Sequence, residues 1–379
     1  MKAAHVFSVR SARSGLQSIV VGTIVILFAN GPLQAGAGDS PGGKAGKSGK
    51  GDGKFEVDGS IFFPTYIAEG TVYTRGVADM PLATNSAEIA KYMPTMPAKF
   101  NKMGVVTALN ATFYNLPIYI VNSKDPKTPK VKVTYPDFRN PTEGMKRILF
   151  ADNIPIPEYA KAANPQGAGD SAMAIYDIGT DIIREYFLIK KNGDGSWTAS
   201  WGGYYEGMSN LAKNNYACQH TEGSDFVVGM IGGPAQIGIE EARRGEIRHA
   251  VCFTIANARE GVTCWPAKGN DGKDSNPNAP AEGQWFRLPP TLKIEKLHLN
   301  PMTELIAKAV QKYGGFASDK NLWCHAFNAE PGFVEMHKKG KDPWAKGGAL
   351  YRKYDLDKGI NDFPWHLTEW APVDWGKPQ

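Results

Sequence analysis

Apolar and polar positions alternate with a period of two along several short runs, and keep a period near 3.6 in only a few. The strand-like runs are Phe55 to Phe63, Val105 to Thr112, Pro117 to Asn122, Ala172 to Asp177, Ile182 to Lys191, Ser196 to Trp201 and Ile247 to Ala256, bounded by Gly, Pro, Asn and Asp. The clearest helix has Asn300 as cap and Pro301 in its first turn, reaches Tyr313, and stops at Gly314-Gly315. Met302, Leu305, Ile306, Ala309, Val310 and Tyr313 fall on one of its faces. Shorter helices are expected at Ser86 to Met93 and Ile239 to Arg244. Short strands without a regular strand–helix alternation predict a mainly β fold, an antiparallel β-sandwich of jelly-roll type with one principal amphipathic helix and long loops. No internal repeat is visible.

The N-terminus departs from this pattern. Lys2, Arg10 and Arg13 precede any acid, Ile19 to Ala29 is apolar, Gly31-Pro32 breaks the run, and Ala35-Gly36-Ala37 offers small residues for cleavage. This is the layout of a signal peptide over residues 1–37, and the apolar run is too short for a comfortable membrane span. No span is therefore expected after cleavage, and the mature protein is expected to be secreted or periplasmic. Residues 38–54, GDSPGGKAGKSGKGDGK, contain no large apolar side chain and read as a flexible leader. No composition break interrupts residues 55–379, read as a single β-rich domain.

Charge sharpens the picture. The formal net charge of +5 is accounted for by the three bases of the signal peptide and by four Lys against two Asp in the leader, so the body is neutral. A neutral body argues against a nucleic-acid partner. Export puts Cys218, Cys252, Cys264 and Cys324 where disulfides persist. Cys252 and Cys264, in a strand and the segment returning from it, are expected to pair, leaving Cys218 and Cys324 as the second bridge. No CxxC or HxxxH spacing appears, so neither a metal nor another cofactor is expected. The oxygen-rich stretch Gly269 to Asn278 lacks the acidic spacing of a calcium loop and reads as a solvated turn.

Candidate chemistry comes from ionisable residues that interrupt apolar strand faces. Ala172 to Asp177 and Ile182 to Lys191 read as a hairpin in which Glu185 shares a face with Ile183, Phe187 and Ile189, while Asp177 follows Met173 and Ile175. His249 sits among Ile247, Val251, Phe253 and Ile255. A buried ionisable group needs a partner, and its pKa is open to displacement toward neutrality, so Glu185, Asp177 and His249 are the catalytic candidates. The plainer reading is that each is a satisfied core residue. Trp197 and Trp201, on one strand at even spacing, are candidates for a sugar-stacking face, against a core-packing alternative. There is no GxSxG elbow, P-loop or HExxH motif.

Gly245-Glu-Ile-Arg-His-Ala-Val251, Trp265-Pro-Ala267 with Asp271-Gly272, Trp285-Phe-Arg-Leu-Pro289 and Ala309-Val-Gln-Lys-Tyr-Gly314 carry a further signal. With Pro155-Ile-Pro157, Gly169-Asp170 and Tyr176-Asp177 upstream, the pattern resembles a group of secreted, largely uncharacterised bacterial proteins. The resemblance implies a secreted β-rich fold and draws attention to Asp170, Asp177, Glu185, His249 and Asp271 without giving them roles; Asp170 and Asp271 are taken as substrate-binding candidates. The expected function is action on a polysaccharide or cell-surface glycan. The enzyme is either a glycoside hydrolase using paired carboxylates or a lyase using His249 as base, with Arg248 or Arg287 near the substrate. The alternative is a non-catalytic carbohydrate-binding or cell-envelope surface protein.

Overall fold

In a computed structural model of the chain the described residues are 71–112, 114–135, 141–164, 170–208 and 226–377. The expected signal peptide, leader and strand Phe55 to Phe63, together with Cys218, lie outside them. The largest sheet has six strands in the order β1 (Thr107–Asn110), β12 (His325–Asn328), β9 (Val251–Ile255), β11 (Gly315–Lys320), β10 (Trp285–Arg287) and β13 (Glu369–Trp370). A second sheet has four, β2 (Ile118–Val121), β4 (Ala172–Asp177), β5 (Ile182–Phe187) and β8 (Trp201–Glu206). A third joins β3 (Val133–Thr134), β7 (Trp197–Thr198) and β6 (Lys190–Lys191).

Alternation along the strands builds a stack of layers. In the six-stranded sheet Val251, Phe253, Ile255, Phe286, Ala317 and Phe327 pack on one side in a core shared with α1 (Ser86–Tyr92), α3 (Ile239–Arg244) and α4 (Pro301–Tyr313). Cys252, Trp285 and Phe316 point the other way, into a core shared with Ile118, Ala174, Tyr176, Ile183 and Tyr205 of the four-stranded sheet. The far face of that second sheet, with Tyr119, Met173, Ile175, Tyr186 and Tyr204, packs against α2 (Glu143–Ile148) and against Val133 and Trp197 of the small sheet. Each fully buried large side chain contributes about 1.5–3 kcal/mol relative to exposure, so both faces of the central sheets stabilise the fold.

The β-rich expectation holds, and α4 occupies the expected residues with Met302, Leu305, Ile306, Ala309 and Val310 buried. The sheets, however, are mixed where antiparallel ones were expected. β1 with β12, β9 with β11, β2 with β4 and β3 with β7 all run parallel. Parallel neighbours cannot be joined by a tight hairpin, and the chain between β9 and β11 accordingly includes a long loop, β10 and α4. Among the described residues no helix is long and apolar enough to cross a membrane.

The expected bridge between Cys252 and Cys264 does not form: both are unbonded and buried, as is Cys324. Strand β9 pairs with β11 and β12, not with the segment that follows it, so no strand–turn–strand brings the two sulfurs together. Burial pushes all three thiols up to about 12, which keeps them protonated and unreactive.

Candidate functional site

A cavity of about 470 Å³ opens between the β1 edge of the six-stranded sheet and the ends of two central strands of the four-stranded sheet. Ala108, Leu109 and Asn110 of β1 and Ala326 of β12 form one wall, and Asp170, Ala172 and Phe187, at the ends of β4 and β5, face them. Tyr114, Phe226, Leu322 and Trp323 complete an apolar and aromatic rim, and Asp319 and Lys320 enter from the end of β11. Tyr114 and Leu322 are 52% and 50% exposed and take positive φ of 59° and 54°. Left-handed backbone is unusual for bulky non-glycine residues, and strained conformations of this kind gather at ligand sites. Trp323 is fixed by its amide, which donates to the Asn321 carboxamide at 2.7 Å. Phe226 is backed by Gly232, where a Cβ would fall 1.8 Å from the phenyl ring, so only glycine lets the ring sit there.

A carboxyl cluster adjoins this cavity through Asp319. One carboxylate oxygen each from Asp271, Glu282 and Asp319 lie within 4.8 Å of one another. Asp319 gets there because the β9–β11 register shifts between Ala317 and Asp319, a bulge that re-aims the strand end. Asp271 arrives on the loop after β9. Gly269 lets that loop press on Val227, whose carbonyl oxygen would lie 2.0 Å from an added Cβ. The Val227 amide in turn donates to Asp319 Oδ2 at 3.1 Å. The Asn270 carboxamide fastens the loop through the carbonyls of Arg259 and Val262 and accepts from Gly272 N. The stretch read as a solvated turn is thus pinned to the protein.

Burial and the neighbouring Asp271 carboxyl push Glu282 up to about 8. Burial, with the Asp271 charge, pushes Asp319 up to about 7 against the opposing pull of the Val227 and Lys320 amides. Three carboxyls so close resist simultaneous ionisation, and the Lys320 ammonium on Asp271 offsets only one charge. Asp170, exposed at the cavity, is also raised by desolvation.

The other candidates stand elsewhere. In the β4–β5 register Glu185 lies opposite Ala174, and Asp177 opposite Ile182. Cross-strand partners share a face. Glu185 therefore joins the core between the sheets and Asp177 the opposite face, so they do not flank one bond. Glu185 is 0% exposed and accepts from the amides of Gly232 and Gly233 at 3.1 and 2.8 Å, holding the turn that backs Phe226. Burial works to raise Asp177, but hydrogen bonds from Ser123 and Thr180 outweigh it and hold the group low, as befits a turn anchor rather than a proton donor.

His249 precedes β9 rather than lying on it, is fully buried, and meets Glu241 at 3.0 Å. Burial lowers its pKa, yet Glu241 prevails and the net shift is upward. Trp197 and Trp201 stand on two different strands, β7 and β8, and both pack in the outer core, Trp197 at 3% exposure. Arg248 pairs with Glu246 at the surface, and Arg287 with Glu369. Of the expected substrate-binding residues, Asp170 lines the cavity and Asp271 belongs to the carboxyl cluster that reaches it through Asp319. Asp319, Glu282, Phe187 and Trp323 went unrecognised in the sequence. The signal that marks Asp319 is an acid at the end of a glycine-led strand, Gly315-Phe-Ala-Ser-Asp319, which lacks β-branched residues.

Comparison of the chain with protein-family models, with curated proteins and with solved structures finds no match.

Proposed function

We propose that the protein acts on a glycan, binding a segment of it in the cavity between the sheets and hydrolysing a glycosidic bond there. The observation that supports this most is the combination of aromatic side chains, Trp323, Tyr114 and Phe187, with the carboxyl groups of Asp170 and Asp319 lining the same cavity. A sugar ring offers an apolar C–H face to an aromatic side chain and hydroxyls to polar groups. The cavity also falls within the range of roughly 300–1,000 Å³ usual for small-ligand sites. Asp170, with its pKa raised, is the proton donor to the leaving oxygen, and Asp319 is the second carboxyl of the pair. Hydrolysis is favoured over elimination because His249, the base expected for a lyase, is fully buried against Glu241. Export, from the signal-peptide pattern and the resemblance to secreted bacterial proteins, belongs to the same proposal.

Calorimetry with oligosaccharides tests the binding half. Trp323→Ala is expected to weaken binding about tenfold, the equivalent of about 1.4 kcal/mol of stacking. Unchanged affinity in Trp323→Ala, with loss on replacing Trp201 instead, would move the glycan to the outer face.

A further inference from the structure

We infer that Asp271, Glu282 and Asp319 form a binding site for one divalent cation, preferentially Ca²⁺, beside the cavity that Asp319 lines. The donor set is three carboxylates with no nitrogen or sulfur, which suits a hard cation. Their oxygens lie within 4.8 Å of one another. Two oxygens on opposite sides of Ca²⁺, each at about 2.3–2.6 Å, are about 5 Å apart, so the three fit one calcium sphere. Magnesium demands a strict octahedron at about 2.1 Å and keeps several of its waters, so a set of three protein carboxylates suits it less well.

An independent observation points to a ligand. Glu282 is 0% exposed, yet its Oε1 has no hydrogen-bond donor, and Asp271 Oδ1 is a second buried oxygen without one. Without a cation these oxygens have only a proton held between the carboxyls to satisfy them, and a divalent ion replaces that proton with a bond to each carboxylate. The remaining lone pairs are already occupied in a way that orients the set. Asp271 N donates to Glu282 Oε2 at 2.7 Å, and Lys320 N and Val227 N donate to the two oxygens of Asp319 at 2.7 and 3.1 Å. Lys320 Nζ on Asp271 brings a single positive charge to three acids, leaving room for a divalent ion. The cation site stands without the glycan reading; only the further step, in which Asp319 connects the cation to sugar oxygens in the cavity, rests on it.

The test is calorimetry of the full chain, stripped with a chelator and titrated with CaCl₂ or MgCl₂ in the absence of any glycan. One Ca²⁺ per chain is expected, with Kd on the order of 10⁻⁵–10⁻³ M and weaker Mg²⁺ binding. Glu282→Gln should weaken Ca²⁺ at least about tenfold, and Asp271→Asn, at the more exposed position, should do the same if the first variant folds poorly. Absence of Ca²⁺ binding by the parent, Mg²⁺ binding as tight as Ca²⁺, or full Ca²⁺ affinity in either folded variant would overturn the inference. Calcium binding by a protein that engages no glycan upholds the cation site and removes the proposed function.

Discussion

Asp170→Asn should lower turnover of a glycan substrate by about 10²–10⁴-fold while leaving oligosaccharide affinity and the melting temperature close to those of the parent. The carboxamide keeps the shape of the carboxyl but has no proton to transfer to a leaving oxygen. Asp170 lies outside the packed cores and is exposed, so little folding free energy depends on it. Steady-state kinetics decides between roles. A fall in kcat with KM nearly unchanged marks proton transfer, whereas a rise in KM alone marks a binding group. Turnover within about threefold of the parent contradicts the assignment of Asp170 as acid.

His325→Gln should alter the acid response of folding. His325 is the first residue of β12 and is 0% exposed, with Trp365 and Phe253 ring centroids at 5.0 and 6.0 Å. Its Nδ1 accepts from Ala256 N at 3.3 Å and its Nε2 faces the Met93 carbonyl oxygen at 2.9 Å. Only the neutral ring with its proton on Nε2 satisfies both. Burial lowers its pKa from 6.5 to about 4 despite the Met93 carbonyl. The folded state therefore binds fewer protons than the unfolded one. The contribution of His325 is fully present above pH 6.5 and is lost as pH falls from there to about 4, a change of about 3 kcal/mol.

Asp319, Glu282 and Glu330 have raised pKa values and act in the opposite sense on acidification. The informative quantity is thus the difference between variant and parent. Urea unfolding at pH 7 and pH 4.5 should show the stability deficit of His325→Gln shrinking by about 2–3 kcal/mol on acidification. A deficit independent of pH contradicts this. So does an NMR titration of the parent in which the His325 ring protonates near pH 6.5.

The sequence made some of this fold legible and concealed other parts for physical reasons. Helix α4 declared itself because a proline start, a glycine stop and one apolar stripe all agreed. The β4–β5 hairpin was visible through its turn, yet all six residues of β4 are buried. When a sheet is covered on both faces, alternation no longer separates inside from outside, so Glu185 and Asp177 looked alike while facing different cores. Strands β11 and β12, Gly-Phe-Ala-Ser-Asp-Lys and His-Ala-Phe-Asn, have little β-branched character and are held by their neighbours rather than by propensity. Asp319 was lost with them, and with it the meeting of Asp271 and Glu282. Trp197 and Trp201 resemble a platform only if residues 196–201 form one strand, and the chain changes sheets between them. Cysteine spacing failed because a disulfide needs Cα atoms about 4.4–6.8 Å apart, a distance that strand pairing sets and sequence separation does not.

The most direct test of a glycan site between the sheets is a crystal structure of Asp170→Asn with an oligosaccharide bound. A sugar ring is expected against Trp323, with a glycosidic oxygen within hydrogen-bond reach of the substituted residue 170 side chain and sugar oxygens toward Asp319. A sugar seated instead over Trp201 or Trp197, or a cavity that stays free of sugar in a crystal where the oligosaccharide binds elsewhere, would contradict it.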